Sequence, residues 1–203
     1  MENSSHFQIN DYLKPGRHAH LVGIGGVSMR PLGLVLRSMG MQISGSDMNA
    51  SVSTDELMAK GIAVSIGHRA ENIEGADCVI RTAAANNDNP EIAAARAAGI
   101  PIFERAQAWG YIMKAYRHAI CVSGTHGKTT TTSMLTQIFM EAGKDPTVMI
   151  GGSLPLLGAG HRVGQGDTII LESCEYCNSF LNFFPTTAVV LDIDADHLDF
   201  FKD

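Results

Sequence analysis

The most informative stretch of the sequence is Gly124-Thr125-His126-Gly127-Lys128-Thr129-Thr130-Thr131-Thr132, which lies between an apolar strand pattern and a helix pattern. Strand, glycine turn, Lys-Thr and helix is the order that a phosphate-binding loop requires. The glycines let backbone N–H groups surround phosphate oxygens, and the helix N-terminus adds a partial positive charge. Lys128 can then reach the β- and γ-phosphates, and the Thr129 hydroxyl can ligate Mg²⁺. The stretch therefore predicts a nucleoside-triphosphate site formed by residues 124–130.

The helix pattern after this loop ends at Gly143 and carries an apolar stripe that is predicted to face the core. The stripe consists of Met134, Leu135, Ile138 and Phe139. The alternative interpretation is an ordinary glycine-rich turn with a surface lysine, which Gly-Lys-Thr at the very start of a helix makes the less favoured one. The loop departs at one position from the common pattern G-x-x-x-x-G-K-[ST], whose first glycine would fall at Val122.

Composition limits the classes of protein to consider. The chain has 203 residues, 45% hydrophobic residues, 18% charged residues and a net charge of -6, so it can bury one large core or two small ones. The acidic balance provides no general basic field, which disfavours nucleic acid as a partner. The first 17 residues lack the apolar core of a signal peptide, and no apolar run approaches the ~18 residues of a membrane span. We expect a cytoplasmic protein without membrane contact.

The four cysteines are consistent with that compartment. Cys78 and Cys121 lie inside apolar strand patterns and are predicted to be reduced core residues. Cys174 and Cys177 form a C-x-x-C pair, but zinc would need two further ligands, and neither a second C-x-x-C nor an H-x₃-H pattern is present. Coincidence in a strand-to-loop segment is favoured over metal or redox chemistry.

A second glycine loop occurs near the start of the chain. The strand pattern 18–22 leads into residues Gly23 to Ser28, and Asp47 at the end of the next strand lies 24 positions after Gly23. This spacing is close to that of the dinucleotide fingerprint, in which an acidic residue after the second strand contacts a ribose. Ser28 stands where that fingerprint has its third glycine, which allows the helix to pack closely on the strand. The sequence therefore predicts such close packing less firmly at this position. A tight turn without a ligand is the alternative interpretation.

Strand and helix patterns alternate along the first part of the chain, which predicts parallel strands with right-handed crossovers. Ser53 and Glu56 form a capping-box pattern, which predicts the start of a short helix. Asn89 and Pro90 mark the start of an alanine-rich helix. The predicted strands are 18–22, 41–46, 62–66, 77–82 and 100–103, and the predicted helices are 29–39, 53–60, 90–98 and 104–116. These elements predict one doubly wound α/β domain over residues 1–117.

A second α/β unit is predicted from residue 118, with further strands at 147–151, 168–171 and 187–191. Acidic residues follow its strands, at the edge where an α/β sheet places ligand-binding groups. They are Glu172, Glu175, Asp192, Asp194 and Asp196. Since few strands are predicted after the loop, we expect the second sheet to be incomplete and the chain to be a fragment of a longer protein.

The phosphate loop, with its histidine, resembles that of the Mur ligases, ATP-dependent amide-forming enzymes of cell-wall synthesis. Three further stretches and the early Gly-Ile-Gly-Gly loop are similar to the same family, from about His20 to Asp203. They are Gly45-Ser46-Asp47, Asn89-Pro90-Glu91 with Gly99-Ile100-Pro101, and Asp194-Ala195-Asp196-His197-Leu198-Asp199. The resemblance implies a Rossmann-like UDP-sugar domain over 1–117 and the first part of a P-loop ATPase domain over 118–203.

The resemblance also implies an activity. UDP-N-acetylmuramate and L-alanine would be the substrates, and ATP and Mg²⁺ the cofactors. The sugar carboxylate would attack the γ-phosphate of ATP, and the amine would then displace phosphate from the acyl phosphate. The chain alone is expected to bind UDP-sugar without turning over ATP. The alternatives are a ligase that recycles a murein peptide, a nicotinamide oxidoreductase, which would leave the Lys128 loop unexplained, and a non-catalytic nucleotide-binding module.

Carried over position by position, the resemblance gives a role to individual residues. Lys128 and His197 are implied to be catalytic, and Gly124, Thr125, His126, Gly127, Lys128, Thr129 and Thr130 to bind ATP. Thr129 and Glu175 are implied to be the ligands of a first Mg²⁺, with Glu172 as a weaker candidate, and His197 to act at a second metal with a modified lysine beyond the chain. The residues implied to bind UDP-sugar are Gly23, Gly25, Gly26, Val27, Ser28, Asp47, His68, Thr82 and Ala83. Asp192 departs from the family pattern, where asparagine is expected.

Overall fold

The computed structural model describes residues 7–196, 198, 200 and 201. These residues form two compact units, the first ending at Ala108 and the second beginning at Trp109. No helix in this described part of the chain is long and apolar enough to cross a membrane.

The first unit is a parallel sheet with helices in its crossovers, as the alternating sequence pattern predicts. Its sheet has the order β3-β2-β1-β4-β5, and every neighbouring pair is parallel. The strands are β1 His18–Val22, β2 Gln42–Asp47, β3 Ala63–Ile66, β4 Cys78–Arg81 and β5 Ile102–Glu104. The helices are α1 Met29–Ser38, α2 Val52–Ala59, α3 Pro90–Ala97 and α4 Arg105–Met113, the last of which contains the division between the units.

The strand order determines where the ligand-binding edge of this sheet lies. Chain progression reverses between β1 and β4, the type of position at which open α/β sheets bind ligands beyond their carboxyl ends. Val22, Val79 and Ile92 pack in a core on one face of this region. The Rossmann-like fold class predicted from the sequence is confirmed for this unit.

Two helix starts test the sequence prediction in detail. Asn89 caps α3 as predicted, because its side chain accepts hydrogen bonds from the N–H groups of Glu91 and Ile92. The predicted capping box of α2 is wrong by two residues. Ser51 and Thr54 form it instead, with reciprocal side-chain to backbone bonds, because α2 begins at Val52.

The second unit contains a sheet of order β10-β6-β9-β7-β8. Its elements are β6 His118–Ser123, α5 Lys128–Glu141, β7 Thr147–Leu154, β8 Ala159–Arg162, β9 Thr168–Glu172 and β10 Thr187–Val190. Four of these strands are parallel, whereas β8 pairs antiparallel with β7 at the sheet edge. Strand β8 was not predicted from the sequence, because Ala159-Gly160-His161-Arg162 has no apolar alternation.

Helix α5 differs from the sequence prediction in the face that it buries. Met134 and Ile138 are exposed, whereas Thr132 and Thr136 are fully buried. Burial of these threonines is possible because each hydroxyl donates to the backbone carbonyl four residues earlier. The other two residues of the predicted stripe, Leu135 and Phe139, do pack against the core of Ile120, Val148, Ile150 and Ile170.

Candidate functional site

The glycine turn of the second unit lies where a phosphate loop requires it, between the carboxyl end of β6 and the amino end of α5. Gly124 has φ 138° and Gly127 has φ 79°, backbone conformations that residues with a Cβ rarely adopt. Val122 is fully buried within β6 and pairs with Glu172 on β9. The glycine of the common pattern is therefore absent because the strand continues through position 122 and the turn begins only at Gly124.

The ammonium group of Lys128 is directed back over the loop. Its Nζ donates to the backbone oxygen of Gly124 and, at 3.1 Å, to that of Thr125. The same Nζ lies 3.4 Å from the Glu175 carboxylate, and the Lys128 side chain is only 13% exposed. The positive charge is thus held at the turn, where phosphate oxygens would meet it.

The hydroxyl of Thr129 contacts a carboxylate, but not the one that the resemblance implied. Thr129 Oγ1 lies 3.0 Å from both carboxylate oxygens of Glu172, and Glu172 also accepts a 2.7 Å hydrogen bond from the N–H of Gly151 on β7. Glu172 is the last residue of β9, so the strand places its side chain beside the loop. Glu175 lies three residues further along and pairs with Lys128. The geometry therefore favours Glu172 over Glu175 as the partner of Thr129.

The segment after β10 is bound to the front of the loop. The N–H of His126 donates to Asp192 Oδ1 at 2.9 Å, and the N–H of Thr125 lies 3.4 Å from the Asp192 backbone oxygen. Thr125 Oγ1 also accepts from the N–H of Asp194 at 3.0 Å. The N–H of His126, which could donate to a phosphate, therefore already donates to the Asp192 carboxylate.

A cavity of about 790 Å³ adjoins the same loop and is lined mainly by apolar side chains. Ser123, Gly124 and Thr125 form its border with the loop, and Phe180, Phe183 and Ile193 contribute apolar lining. His197, implied to act at a second metal, lies outside the described residues.

The glycine loop of the first unit joins β1 to α1, and its neighbours leave no room for a side chain at Gly23 or Gly25. The N–H of Gly25 donates to Asp47 Oδ2 at 2.9 Å, and a Cβ at Gly25 would lie 2.8 Å from that oxygen. A Cβ at Gly23 would lie 2.8 Å from Cγ2 of Thr82. Asp47 and Thr82 thus lie on either side of the loop, as expected of residues at the ends of β2 and β4.

Close packing of α1 on the sheet, which the fingerprint assigns to a glycine at position 28, is provided here by Gly33. Gly33, one turn into α1, faces the sheet, and a Cβ there would lie 3.3 Å from Leu21 and 3.7 Å from Ile43. The helix therefore approaches β1 and β2 closely without a glycine at position 28.

His68 and Ala83 follow β3 and β4, so they lie at the same edge of the sheet as the glycine loop. Val27 and Ala83 are exposed, whereas the His68 side chain is 13% exposed and Nδ1 lies 3.0 Å from Ser46 Oγ. The sequence-predicted residues of the first unit are thus brought to one edge, around Gly25 and Asp47.

The two loops lie in segments of the chain that match models of a known protein family. A family model described as "Mur ligase family, catalytic domain" matches residues 18–117, and one described as "Mur ligase middle domain" matches residues 122–203. The chain belongs to the Mur ligase family. The two matched segments contain the glycine loop and all of the phosphate loop respectively.

Curated Mur ligases resemble the chain over nearly its whole length. A protein of Clostridium botulinum (strain Hall), named "UDP-N-acetylmuramate--L-alanine ligase", is 48% identical over 95% of the chain and 42% of its own length. A protein of the same name from Agathobacter rectalis is 52% identical over 95% of the chain and 42% of its own length. The chain thus spans less than half of the length of these relatives.

Solved structures of Mur ligases have the same fold. The UDP-N-acetylmuramate-alanine ligase MurC of Thermotoga maritima superposes with a TM-score of 0.82 at 33% identity, covering 90% of the chain and 43% of that protein. The UDP-N-acetylmuramate:L-alanyl-gamma-D-glutamyl-meso-diaminopimelate ligase of Neisseria meningitides also gives 0.82, at 27% identity, covering 93% of the chain and 64% of that protein.

One buried residue beside His68, Glu91, was not among the site residues predicted from the sequence. The Glu91 side chain is fully buried beside His68 and accepts hydrogen bonds from Ser46 and Asn72. Burial alone would raise the pKa of Glu91, but the neighbouring His20, Ser46 and Asn72 side chains outweigh it and lower the pKa to about 2. In the sequence, Asn89-Pro90-Glu91 indicated a helix start and a similarity to the Mur ligases, but neither gave Glu91 a role at the site.

Proposed function

We propose that the chain provides the UDP-sugar site and part of the ATP site of a ligase that joins L-alanine to UDP-N-acetylmuramate. The observation that carries this proposal is the phosphate loop with Lys128 folded over it, on a second sheet that follows a first glycine loop with an acidic strand-end residue. Two separate anion-binding turns on one chain fit a reaction that needs a nucleotide-linked acceptor and a nucleoside triphosphate. The names and lengths of the curated relatives support this choice.

The reaction would take place in two steps. A carboxylate oxygen of the acceptor bonds to the γ-phosphorus of ATP, the bond to the bridging oxygen breaks, and ADP leaves. The amine nitrogen of alanine then bonds to the acyl carbon, the bond to the phosphate oxygen breaks, and the nitrogen loses its proton. In the first step negative charge gathers at the transferred phosphoryl group, and in the second step it gathers on the acyl oxygen and on the departing phosphate.

Lys128 and the loop N–H groups would stabilise that charge, because they are held at the turn before the nucleotide arrives. Lys128 would exchange its backbone carbonyl partners for phosphate oxygens. Asp192 would have to release the N–H of His126 for the loop to close fully around an anion.

Thr129 and Glu172 would hold Mg²⁺, since a hydroxyl and a carboxylate 3.0 Å apart are the hard oxygen donors that this ion prefers. When bound, Mg²⁺ supplies charge neutralisation at the phosphates. Glu175 would instead keep Lys128 in place. His197 remains a proposed metal-site residue by resemblance alone.

In the first unit, the loop of Gly23 to Ser28 would take the pyrophosphate, and Asp47 would contact the uridine. His68, Thr82 and Ala83 border the same edge. Binding would require the N–H of Gly25 to be shared between Asp47 and the ligand, so Asp47 would also orient the loop.

Calorimetric titration of the chain with UDP-N-acetylmuramate, ATP and NADH tests this assignment. We expect binding of UDP-N-acetylmuramate and none of NADH. Binding of NADH alone would favour an oxidoreductase and contradict the proposal. The second candidate is a murein peptide ligase, like the Neisseria protein of similar fold. An amide-forming assay that compares L-alanine with a tripeptide, on protein of the relatives' full length, separates the two candidates.

A further inference from the structure

The buried Glu91 carboxylate joins several segments of the first unit, although it lies outside both glycine loops. We call His20, Ser46, His68, Asn72 and Glu91 the Glu91 cluster. Glu91 lies in the first turn of α3, and its partners come from β1, β2 and the chain after β3. A fully buried carboxylate is costly unless its oxygens are satisfied, so this arrangement needs a reason.

Each carboxylate oxygen has its own set of neighbours. Oε1 accepts from Nδ2 of Asn72 at 2.5 Å and lies 3.7 Å from Nε2 of the buried His20. Oε2 accepts from Oγ of Ser46 at 2.6 Å and lies 3.1 Å from Nδ1 of His68. Because an ionised carboxylate only accepts hydrogen bonds, Nδ1 of His68 must carry a hydrogen. In the neutral ring, Nε2 of His68 is then left without one and can only accept.

The cluster also reaches the glycine loop through Ser46. The backbone oxygen of Ser46 accepts from the N–H of Gly23 at 2.8 Å and from that of Ile24 at 2.9 Å. The next residue, Asp47, accepts from the N–H of Gly25. Glu91 thus anchors, by its bond to the Ser46 side chain, the residue whose backbone holds the start of the loop.

We propose that Glu91 is a positioning residue of the nucleotide-sugar site, which sets the Nδ1–H tautomer of His68 and holds Ser46 under the glycine loop. Nε2 of His68 is then the ring nitrogen that accepts a hydrogen bond from a hydroxyl or N–H group of the UDP-sugar. Glu91 itself touches no ligand. This inference rests on the proposed function for the identity of the ligand, but not for the state of the His68 ring.

The ring state is measurable by long-range ¹H–¹⁵N correlation NMR on the chain with ¹⁵N-labelled histidine, without ligand. At about pH 8, where a free histidine is neutral, we expect His68 in the Nδ1–H form. The neutral ring of free histidine prefers the Nε2–H form, so an Nδ1–H form has to be set by the protein, and observation of the Nε2–H form in the wild-type chain would overturn the proposal without any variant.

Glu91→Gln tests the cause. A glutamine has one acceptor oxygen and one donor nitrogen in place of two acceptor oxygens. A group that donates to Glu91 must therefore accept from the new nitrogen instead. We expect the Nδ1–H form of His68 to lose its dominance and the affinity for UDP-N-acetylmuramate to fall about tenfold. Asn72→Ala is the matched control, since it removes a neutral donor from Oε1 and leaves the contact of Oε2 with His68; its His68 tautomer should be that of the wild type.

The possible outcomes separate the two claims. An unchanged His68 tautomer in Glu91→Gln overturns the positioning role, and so does a changed tautomer with unchanged affinity for UDP-N-acetylmuramate. If the wild-type chain does not bind the UDP-sugar, the proposed function fails, and the ligand-free NMR signal alone decides whether Glu91 sets the His68 ring.

Discussion

Gly25 is the residue whose replacement tests the first loop most sharply. A side chain there would meet Asp47 and, at 3.2 Å, Cγ2 of Thr54, so Gly25→Val should displace the loop from Asp47. We expect the affinity for UDP-N-acetylmuramate to fall at least about tenfold in calorimetry, because the N–H groups no longer converge on an anion. Thermal unfolding of the same variant controls for a loss of folding, and undiminished affinity in a folded variant would contradict the assignment.

Asp192 places a negative charge against the phosphate loop. Asp192→Asn keeps an oxygen that can accept from the N–H of His126 but removes the charge. We expect ATP to bind about three to ten times more tightly, since repulsion between the carboxylate and the phosphates is lost. The gain should shrink at high salt, as a Coulombic effect does. Weaker ATP binding would mean that the charge, and not just the hydrogen bond, supports the loop.

Glu91 makes a prediction about acid stability. Its pKa is about 2 in the folded chain against 4.5 ordinarily, so the unfolded chain binds the proton first as the pH falls. The carboxylate therefore stabilises the fold fully above about pH 4.5, and this contribution, on the order of 3 kcal/mol, is lost as the pH falls towards 2. Denaturant unfolding of the first unit should show this loss in the wild type and a flatter profile in Glu91→Gln; equal slopes in both would contradict it.

Motifs identify a residue only when their spacing is fixed by the chemistry. Lys128 and Asp47 were predicted because a loop-to-lysine or loop-to-acid spacing specifies each of them. The resemblance ranked Glu175 above Glu172 as the partner of Thr129, whereas the structure pairs Thr129 with Glu172, because β9 ends at that residue. Glu91 could not be identified, because an acidic residue in the first turn of a helix normally indicates only a favourable interaction with the helix dipole.

At the scale of elements, the start of α2 provides a direct test. Ser51 accepts from the N–H of Thr54, so Ser51→Ala should lower the free energy of unfolding of the first unit by about 1 kcal/mol. Ser53→Ala is the matched control, since Ser53 lies within the helix and its hydroxyl accepts a 3.1 Å hydrogen bond from Arg30 rather than from the N–H groups of the first turn. A larger loss for Ser53→Ala, measured by denaturant unfolding, would restore the capping box that the sequence first indicated.

Helix starts that are marked by a cap residue were predicted better than the face that a helix buries. Asn89-Pro90 marks the start of α3 correctly, because an N-cap side chain and a fixed φ act locally. The buried face of α5 was predicted in part, because periodicity counts apolar residues and ignores that Thr132 and Thr136 can satisfy their own hydroxyls. Strand β8 was missed because an edge strand needs little apolar surface.

At the scale of the whole molecule, alternating strand and helix patterns were enough to predict two α/β units. Each unit places its functional loop at the carboxyl ends of parallel strands, which is a general property of such sheets. The sequence places the boundary after residue 117, between the segments 18–117 and 122–203 that the two family models match, whereas the compact units divide after Ala108, within α4. A helix that continues across the division has no turn signal to mark it.

The central claim is that the two anion-binding turns are separate sites, one for each nucleotide. Titration of UDP-N-acetylmuramate into the wild-type chain, Lys128→Ala and Gly25→Val by calorimetry tests it most directly. We expect Lys128→Ala to bind the UDP-sugar with wild-type affinity and Gly25→Val to bind it at least about tenfold more weakly. Loss of UDP-sugar binding in Lys128→Ala, with wild-type binding in Gly25→Val, would contradict the claim.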